Sequence, residues 1–268
     1  MSKNRLQHAR QAYSSLDLEA TREAHSAQAI QESLDEPNIH DKGKGQFIGD
    51  IVYGAIDGIV TTFAVVSGVA GAGLSSGIVL ILGFANLFAD GLSMAVGNYL
   101  GTKSELEYKK RERSREEWEI ERLPEEEKEE IRQIYKRKGF TGELLERAVD
   151  VITGDKKQWV DTMLLEELHI IPEQKSPFVA GFMTFVSFVL VGVVPLLSYV
   201  LSYFVPFLAQ FSYPTSIALT FCAIFGVGSL RVYVTGKRWW RSGLEMLLVG
   251  GATAVVAYFI GYLLRGLA

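Results

Sequence analysis

The chain has 268 residues with 48% apolar content and a formal net charge of −4, so its bulk composition would fit a soluble protein of one or two domains. The position of the charges excludes that interpretation: residues 46–101 contain three charged side chains, all Asp, and residues 176–230 contain none, whereas residues 102–175 carry 20 of the 31 acidic and 16 of the 27 basic residues. The single cysteine, Cys222, also excludes a disulfide framework and a metal site built from cysteines.

The first 45 residues are polar and mixed in charge, and they contain no short apolar core followed by a small-residue cleavage site. We therefore expect the first apolar segment to direct membrane insertion without a cleaved signal. Residues 16–34 could form a short amphipathic helix or stay disordered. His25 and His40 are expected to be surface residues rather than metal ligands.

Five apolar segments follow, each close to the roughly 20 residues that a helix needs to cross the hydrocarbon core of a bilayer. Their approximate ranges are 47–72, 78–100, 178–201, 212–234 and 243–264. The sequence between 178 and 230 is interrupted mainly by Pro195, Pro206 and Pro214, so we place the turn between spans three and four near residues 203–214. These segments predict an all-α membrane protein with five transmembrane helices.

Span one contains Asp50 and Asp57, seven residues apart and therefore on one face of a helix. Asp57 is the deeper of the two. An ionised carboxylate at membrane depth is costly, so it usually faces a wet cavity or a partner and marks an ion or proton path. The alternative is a carboxylate held by a neighbouring helix, and it is the stronger interpretation for Asp50.

Span two places Asn86, Asp90, Met94 and Asn98 at four-residue steps, which forms a polar stripe on one helix face. Carboxylate and amide oxygens beside a thioether suit a borderline transition-metal ion better than magnesium or calcium, which prefer oxygen ligands alone. Glycines also recur at four-residue spacing in both spans (Gly54 and Gly58, then Gly97 and Gly101), which favours close packing of spans one and two or of a dimer.

Residues 102–175 are too charged to cross a membrane, yet they have helical periodicity and few helix breakers. Breaks at 123–124, 139–142 and 153–154 predict an insert of about three helices, the first of which could continue from span two. Two pairs of its glutamates are three residues apart, namely Glu116 with Glu119 and Glu127 with Glu130. Met163 and Glu167 are four residues apart. Such glutamates could bind a cation or simply form the solvated, acidic start of a helix after Pro124.

The loops that carry Lys and Arg predict the orientation of the chain. Lys42 and Lys44 precede span one, the charged insert follows span two, and Arg231, Lys237, Arg238 and Arg241 lie between spans four and five. The other two connections carry no charge. The N-terminus and the insert are therefore predicted to be cytoplasmic and the C-terminus to lie on the far side. This divides the chain into a polar segment (1–45), helices one and two (46–101), the insert (102–175) and helices three to five (176–268).

Three segments resemble the vacuolar iron transporter family of yeast, plants and bacteria. They are 57–63, which reads Asp-Gly-Ile-Val-Thr-Thr-Phe, then 89–105 at the end of span two, and 159–168 in the insert. With Val194-Pro-Leu-Leu and the last span, the resemblance covers about 45–268. It leaves the first 45 residues outside.

The resemblance implies a homodimer of five-helix subunits that exports Fe²⁺ or Mn²⁺ from the cytosol in exchange for protons. Its three-helix cytoplasmic insert would collect metal ions, with the ligand set Glu116, Glu119, Glu127, Glu130, Met163 and Glu167. Asp57 and Met94 would then pass the ion across a vacuolar membrane or a bacterial inner membrane. No prosthetic group and no nucleic-acid partner are implied.

Two positions depart from the family pattern. The adjacent Met pair of the family reads Met163-Leu164 here, and the pore-lining Glu of plant members is Asn86, so Asp90 could supply the missing charge. Two rival functions remain open. Glu166 and His169 form one Glu-x-x-His element of the kind found in di-iron enzymes, although such sites need two. A scaffold whose insert only docks partners is the other rival.

Overall fold

The computed structural model describes residues 46–171, 175–230 and 238–267, together with residues 9–31 apart from positions 10, 14, 28 and 30. Every regular element in these residues is helical. The α-helices are α1 (Leu18–Ala24), α2 (Ile48–Ala72), α3 (Ser76–Arg122), α4 (Pro124–Arg137), α5 (Gly142–Thr153), α6 (Lys156–Glu166), α7 (Pro177–Gly192), α8 (Val194–Phe204), α9 (Ser212–Leu230) and α10 (Trp239–Leu264). The chain divides into two compact units, Met1–Gly49 and Asp50–Ala268.

The first unit contains the short helix α1. Asp17 caps it, because its side-chain oxygen accepts hydrogen bonds from the backbone N–H groups of Glu19 (2.9 Å) and Ala20 (3.0 Å). Leu16 has a φ of +54°, so the helix cannot begin there as the amphipathic pattern suggested. His25 is exposed, as predicted. His40, Lys42 and Lys44 lie outside the described residues.

Four helical stretches within the described residues are each long and apolar enough to cross a membrane, namely Ile48–Ala72, Ser76–Arg122, Phe207–Ser229 and Trp239–Leu267. A fifth candidate is the pair α7 and α8, which passes the same test only when its two helices are taken together. The pair is bent by 47°. Pro195, in the first turn of α8, accounts for the break, because proline lacks an N–H and clashes with the preceding helical turn.

The turn after α8 lies where the prolines predict it. A 3₁₀ helix, Pro206–Phe211, separates α8 from α9. Fully buried Ser216 of α9 donates a hydrogen bond to the Pro195 carbonyl at 2.7 Å, which ties the two helices together and satisfies a carbonyl near the bend. The predicted orientation depends in part on Arg231 and Lys237, which lie outside the described residues.

Glycines let the helix backbones in the membrane region approach closely, but the partners differ from the expected ones. Gly54 and Gly58 of α2 face α7 rather than α3: a Cβ on Gly54 would lie 2.5 Å from the Thr184 carbonyl oxygen, and one on Gly58 would collide with the Phe188 backbone. A Cβ built on Gly97 or Gly101 would have no atom of another packed segment within 4 Å among the described residues. Among the described residues of one chain, these glycines therefore do not pack spans one and two against each other, and their use in a dimer stays a prediction.

The charged insert begins inside α3, which runs for 47 residues, or about 70 Å at 1.5 Å per residue, and so is more than twice as long as the hydrocarbon core is thick. Three separate helices, α4 to α6, follow it, with breaks at the three predicted places. The insert therefore has one helical segment more than predicted if the extension of α3 is counted. Between α4 and α5, Gly139 and Gly142 have φ values of +97° and +58°, which glycine adopts without a Cβ clash.

Candidate functional site

Five of the predicted insert glutamates are positioned by three different segments. Glu116 and Glu119 lie on the extension of α3, Glu127 and Glu130 lie on α4, and Glu167 directly follows α6. Their exposure differs strongly. Glu116 is 1% exposed and Glu127 is 6% exposed, whereas the other three are half-buried or exposed.

The carboxylates act on one another electrostatically. Burial raises the pKa of Glu127 to about 7, with further repulsion from Glu130, Glu116, Glu119 and Glu167. Burial also raises the pKa of Glu116, in spite of the neighbouring Arg115. The pKa of Glu167 rises for the same reason, with added repulsion from Glu130 and Glu116. These carboxyl groups therefore form one electrostatic cluster, and their role as metal ligands stays a prediction.

Two oxygens of this cluster are buried without a hydrogen-bond partner, Oε2 of Glu116 and Oε2 of Glu127. A buried carboxylate oxygen that has lost its water and gained no partner is strongly disfavoured. A proton or a cation would satisfy it. The chemistry of the donors thus suits either species, and the two would compete for the same oxygens.

Arg115 was not among the predicted residues, but it contacts three acidic side chains of the α3 extension. Its Nη2 lies 2.9 Å from Oε1 of Glu116, and its Nε lies 3.4 Å from Oε2 of Glu112 and 3.5 Å from Oε2 of Glu119. The spacing of three and four residues between Arg115 and two of these glutamates was visible in the sequence. The acidic pattern alone does not indicate this basic neighbour.

Within the parts of the chain that the structure describes, no three His, Cys, Asp or Glu side chains converge closely enough to hold a metal ion. The glutamates share an electrostatic field, but in this single chain their oxygens do not meet at one point. Arg115 contributes to this arrangement because it provides the positive charge that Glu112, Glu116 and Glu119 face.

Met163 and Leu164, the position of the shortened Met pair, belong to the apolar core of the insert. Met163 is completely buried and Leu164 is 4% exposed, and they pack with Ile120, Ile131 and Val149. The backbone N–H of Glu167 donates to the Met163 carbonyl at 3.0 Å, which places Glu167 one turn beyond it. Met163 and Glu167 therefore lie one helical turn apart. The Met163 side chain is in the apolar core, and Glu167 lies at the exposed end of the helix.

In the membrane region, Asp57 of α2 and Asp90 of α3 are half-buried and lie close enough for their charges to repel. Met94 packs against a core that includes Phe63, Leu87 and Phe188. Asn86 and Met94 are half-buried on the same continuous helix as Asp90, so the predicted stripe exists. Asp57 and Asp90 thus bring two carboxylates near each other from two helices, and Met94 follows Asp90 by four residues on α3.

The rival di-iron element is not helical. Helix α6 ends at Glu166, which pairs with Lys138, and His169 has a φ of +54°. Glu166 and His169 therefore do not share a helix face, as the Glu-x-x-His elements of di-iron bundles do.

Comparison with known proteins adds independent information. A model described as the VIT family matches residues 48–262. The chain is 34% identical over 267 residues to the "Vacuolar iron transporter" of Toxoplasma gondii, which covers 97% of this chain and 88% of the relative. It is 33% identical over 273 residues to the "Vacuolar iron transporter" of Plasmodium berghei, with coverage of 99% and 98%.

A plant relative, "Vacuolar iron transporter 1" of Arabidopsis thaliana, is 33% identical over 215 residues, 80% of this chain and 84% of the relative. The family model and the plant relative thus fit a resemblance that begins near residue 45. The two parasite proteins align with almost the whole chain, so the expectation that the first 45 residues lie outside any resemblance is wrong for them.

Proposed function

The chain belongs to the VIT family of vacuolar iron transporters, and from that premise we propose that it exports Fe²⁺, Mn²⁺ or both from the cytosol by exchange for protons. It is an integral membrane protein and a metal ion transporter, not an enzyme, in line with the names of its relatives. The ion, the direction and the coupling are our proposals.

One observation carries the metal-collecting role of the insert. Glu116 and Glu127 each bury a carboxylate oxygen that has no partner, within a cluster of five mutually repelling glutamates. A divalent cation would neutralise two charges at once and satisfy both oxygens. Full ligation needs the side chains to converge further, with Arg115 leaving Glu116. Met163 would supply a thioether, which Mg²⁺ does not favour, once its sulfur turns out of the apolar core.

The path across the membrane would use Asp57, Asp90 and Met94. The proximity of Asp57 on α2 to Asp90 on α3 supports this role, because a carboxylate at membrane depth usually serves an ion or proton path. Asn86 takes the place of the family's pore glutamate, and we propose that Asp90, one turn away, supplies the displaced charge. The same carboxylates bind either metal or protons, so alternate occupancy would couple outward metal flow to inward proton flow.

We infer five membrane spans, with the bent pair α7 and α8 crossing as one. Residues 1–45 and the insert at 102–175 would be cytoplasmic and the C-terminus would lie on the far side of a vacuolar or bacterial inner membrane. A homodimer would bring a second set of insert glutamates to the first. This offers a reason why no three ligands converge among the described residues of one chain.

The decisive measurement is metal flux in proteoliposomes that carry an imposed pH gradient. We expect Fe²⁺ or Mn²⁺ to move against the direction of proton flow, with each ion inhibiting the other, and Mg²⁺ to be ignored. Protein-free liposomes and a collapsed gradient are the controls. A well-folded protein with no metal flux would overturn the proposal and would favour the scaffold instead.

A further inference from the structure

A buried ion pair joins the beginning of α2 to the end of the insert. Asp50 is 8% exposed. Nζ of Lys175 lies 2.8 Å from Oδ1 of Asp50 and 2.7 Å from Oδ2, so one ammonium group engages both carboxylate oxygens. The amide of Asn98 donates a further hydrogen bond to Oδ1 at 2.9 Å.

Asn98 fixes the Asp50 carboxylate among three membrane helices. From α3, its Nδ2 also lies 2.7 Å from the Thr184 hydroxyl of α7, and its Oδ1 accepts from Thr102 at 3.3 Å. Asp50 is therefore held rigidly. Lys175, by contrast, reaches it from the segment that precedes α7, on a long side chain that is 31% exposed.

The pair lies along the direction that an ion would take from the insert into the membrane. Asp50 and Asp57 share a face of α2, and seven residues of helix separate them by about 10 Å. The Lys175 side chain comes from the point where the chain returns from the insert to the membrane helices. A cation that moves from the insert towards Asp57 would reach Asp50 while its carboxylate is paired with the Lys175 ammonium group.

A lysine ammonium is a compact positive charge on a flexible stem, and a divalent cation can replace it at a carboxylate. Removing the ammonium without a replacement would leave a buried, uncompensated charge, which is strongly unfavourable. The exchange is therefore favourable only when another cation arrives. The ion pair between Asp50 and Lys175 should therefore stay formed in the absence of metal.

We propose that Lys175 is a tethered cation that competes with the transported metal ion for Asp50 and so gates the cytoplasmic end of the path, an inference that rests on the proposed transport function. Lys175 is a positioning residue here, because it acts through Asp50. The apparent affinity for metal is then the intrinsic affinity multiplied by the fraction of time for which the carboxylate is free of the ammonium.

The test measures initial rates of Fe²⁺ flux into proteoliposomes, under anaerobic conditions, over a range of Fe²⁺ concentrations. Lys175→Gln should lower KM at least about threefold because the internal competitor is gone. Lys175→Arg should keep KM near the wild-type value. Lys156→Gln, which breaks the exposed pair with Glu121, is the matched control and should leave KM unchanged.

A double-mutant cycle separates the gate from a purely structural ion pair. Asp50→Asn should raise KM, and Lys175→Gln should have no further effect on KM in that background. If Lys175→Gln leaves KM unchanged or raises it while the wild type transports, the gate is wrong and the proposed function stands. The same KM decrease in the Asp50→Asn background would also overturn the gate. Absence of flux in the wild type would remove the transport function itself.

Discussion

The carboxylates of the insert and those of the membrane helices differ in the charges of their neighbours. In the insert, the charges of four other glutamates repel that of Glu127, so the negative charge is spread over five side chains. In the membrane region, Asp50 is bound by Lys175 and Asn98, and Asp57 is repelled by Asp90. The insert can therefore lose one carboxylate and keep a negative field, whereas the proposed path through the membrane has fewer carboxylates, so that each one should matter more.

The largest expected difference between the two regions is in transport rate. Asp57→Asn should lower the maximum Fe²⁺ flux at least about tenfold, because an interaction with a charged group is worth about 1.5–3 kcal/mol. Glu116→Gln should change the maximum rate little and raise KM, since four glutamates of the cluster remain. Both effects are read from initial rates in proteoliposomes.

Glu143→Gln, an exposed acidic residue at the start of α5, is the control for a change of surface charge in the insert. It should transport like the wild type. Equal loss of maximum rate in Asp57→Asn and Glu116→Gln would show that the insert is as indispensable as the membrane path, and the contrast between shared and single carboxylates would be wrong.

The shared field in the insert should also make its metal-free stability depend on pH. Glu127 has a folded-state pKa of about 7, raised from 4.5, so between these values the folded protein binds more protons than the unfolded one and stability falls as pH rises. Glu127→Gln removes this loss. In chelator, the variant should melt a few degrees higher than the wild type near pH 8, with little difference near pH 5.

Glu126→Gln is the matched control, because Glu126 lies in the same first turn of α4 but is exposed. It should bring no gain in melting temperature at either pH. A melting temperature of Glu127→Gln below that of the wild type near pH 8 would contradict the idea that the buried charge is a liability without metal.

Much of the helical layout could be predicted, because membrane segments are encoded by long apolar runs and insert helices by Pro124, Gly139 and Gly142. The partners of the helices could not. Gly54 and Gly58 signal close packing, but the glycine spacing alone does not say that α7 would be the neighbour. Packing between distant segments depends on three-dimensional fit, which a local pattern does not contain.

The candidate site shows the same limit. The acidic positions were predicted from a resemblance, and the fold brings their charges into one field without testing whether they bind metal. The basic partners differ in how far the sequence indicates them: Arg115 is adjacent in sequence to Glu116, whereas Lys175 and its partner Asp50 are 125 positions apart. Pairing at that distance becomes visible only in the fold.

Arg115 is expected to weaken metal binding by the insert. Because it contacts Glu112, Glu116 and Glu119, it should compete with a metal ion for them. Arg115→Gln should tighten Fe²⁺ binding about fivefold, which corresponds to the loss of about 1 kcal/mol of competing ion pairing. Titration calorimetry on the full chain in detergent measures this.

The control for Arg115→Gln is Arg132→Gln, which breaks contacts with Glu129 and Glu146 outside the cluster. Its Fe²⁺ affinity should match the wild type. Weaker binding by Arg115→Gln would mean that the arginine helps to assemble the site rather than to occupy it.

The smallest effect is expected from restoring the shortened Met pair. Leu164→Met preserves volume in a packed core, so the fold should tolerate it. A second thioether beside Met163 should strengthen Fe²⁺ binding about threefold, or roughly 0.6 kcal/mol, provided that the sulfur can turn from the core towards Glu167. Leu145→Met puts the same side chain into the same core from α5 and should leave affinity unchanged. Equal gains in both variants would mean that a softer core, and not a new ligand, improves binding, and Met163 would then be a packing residue alone.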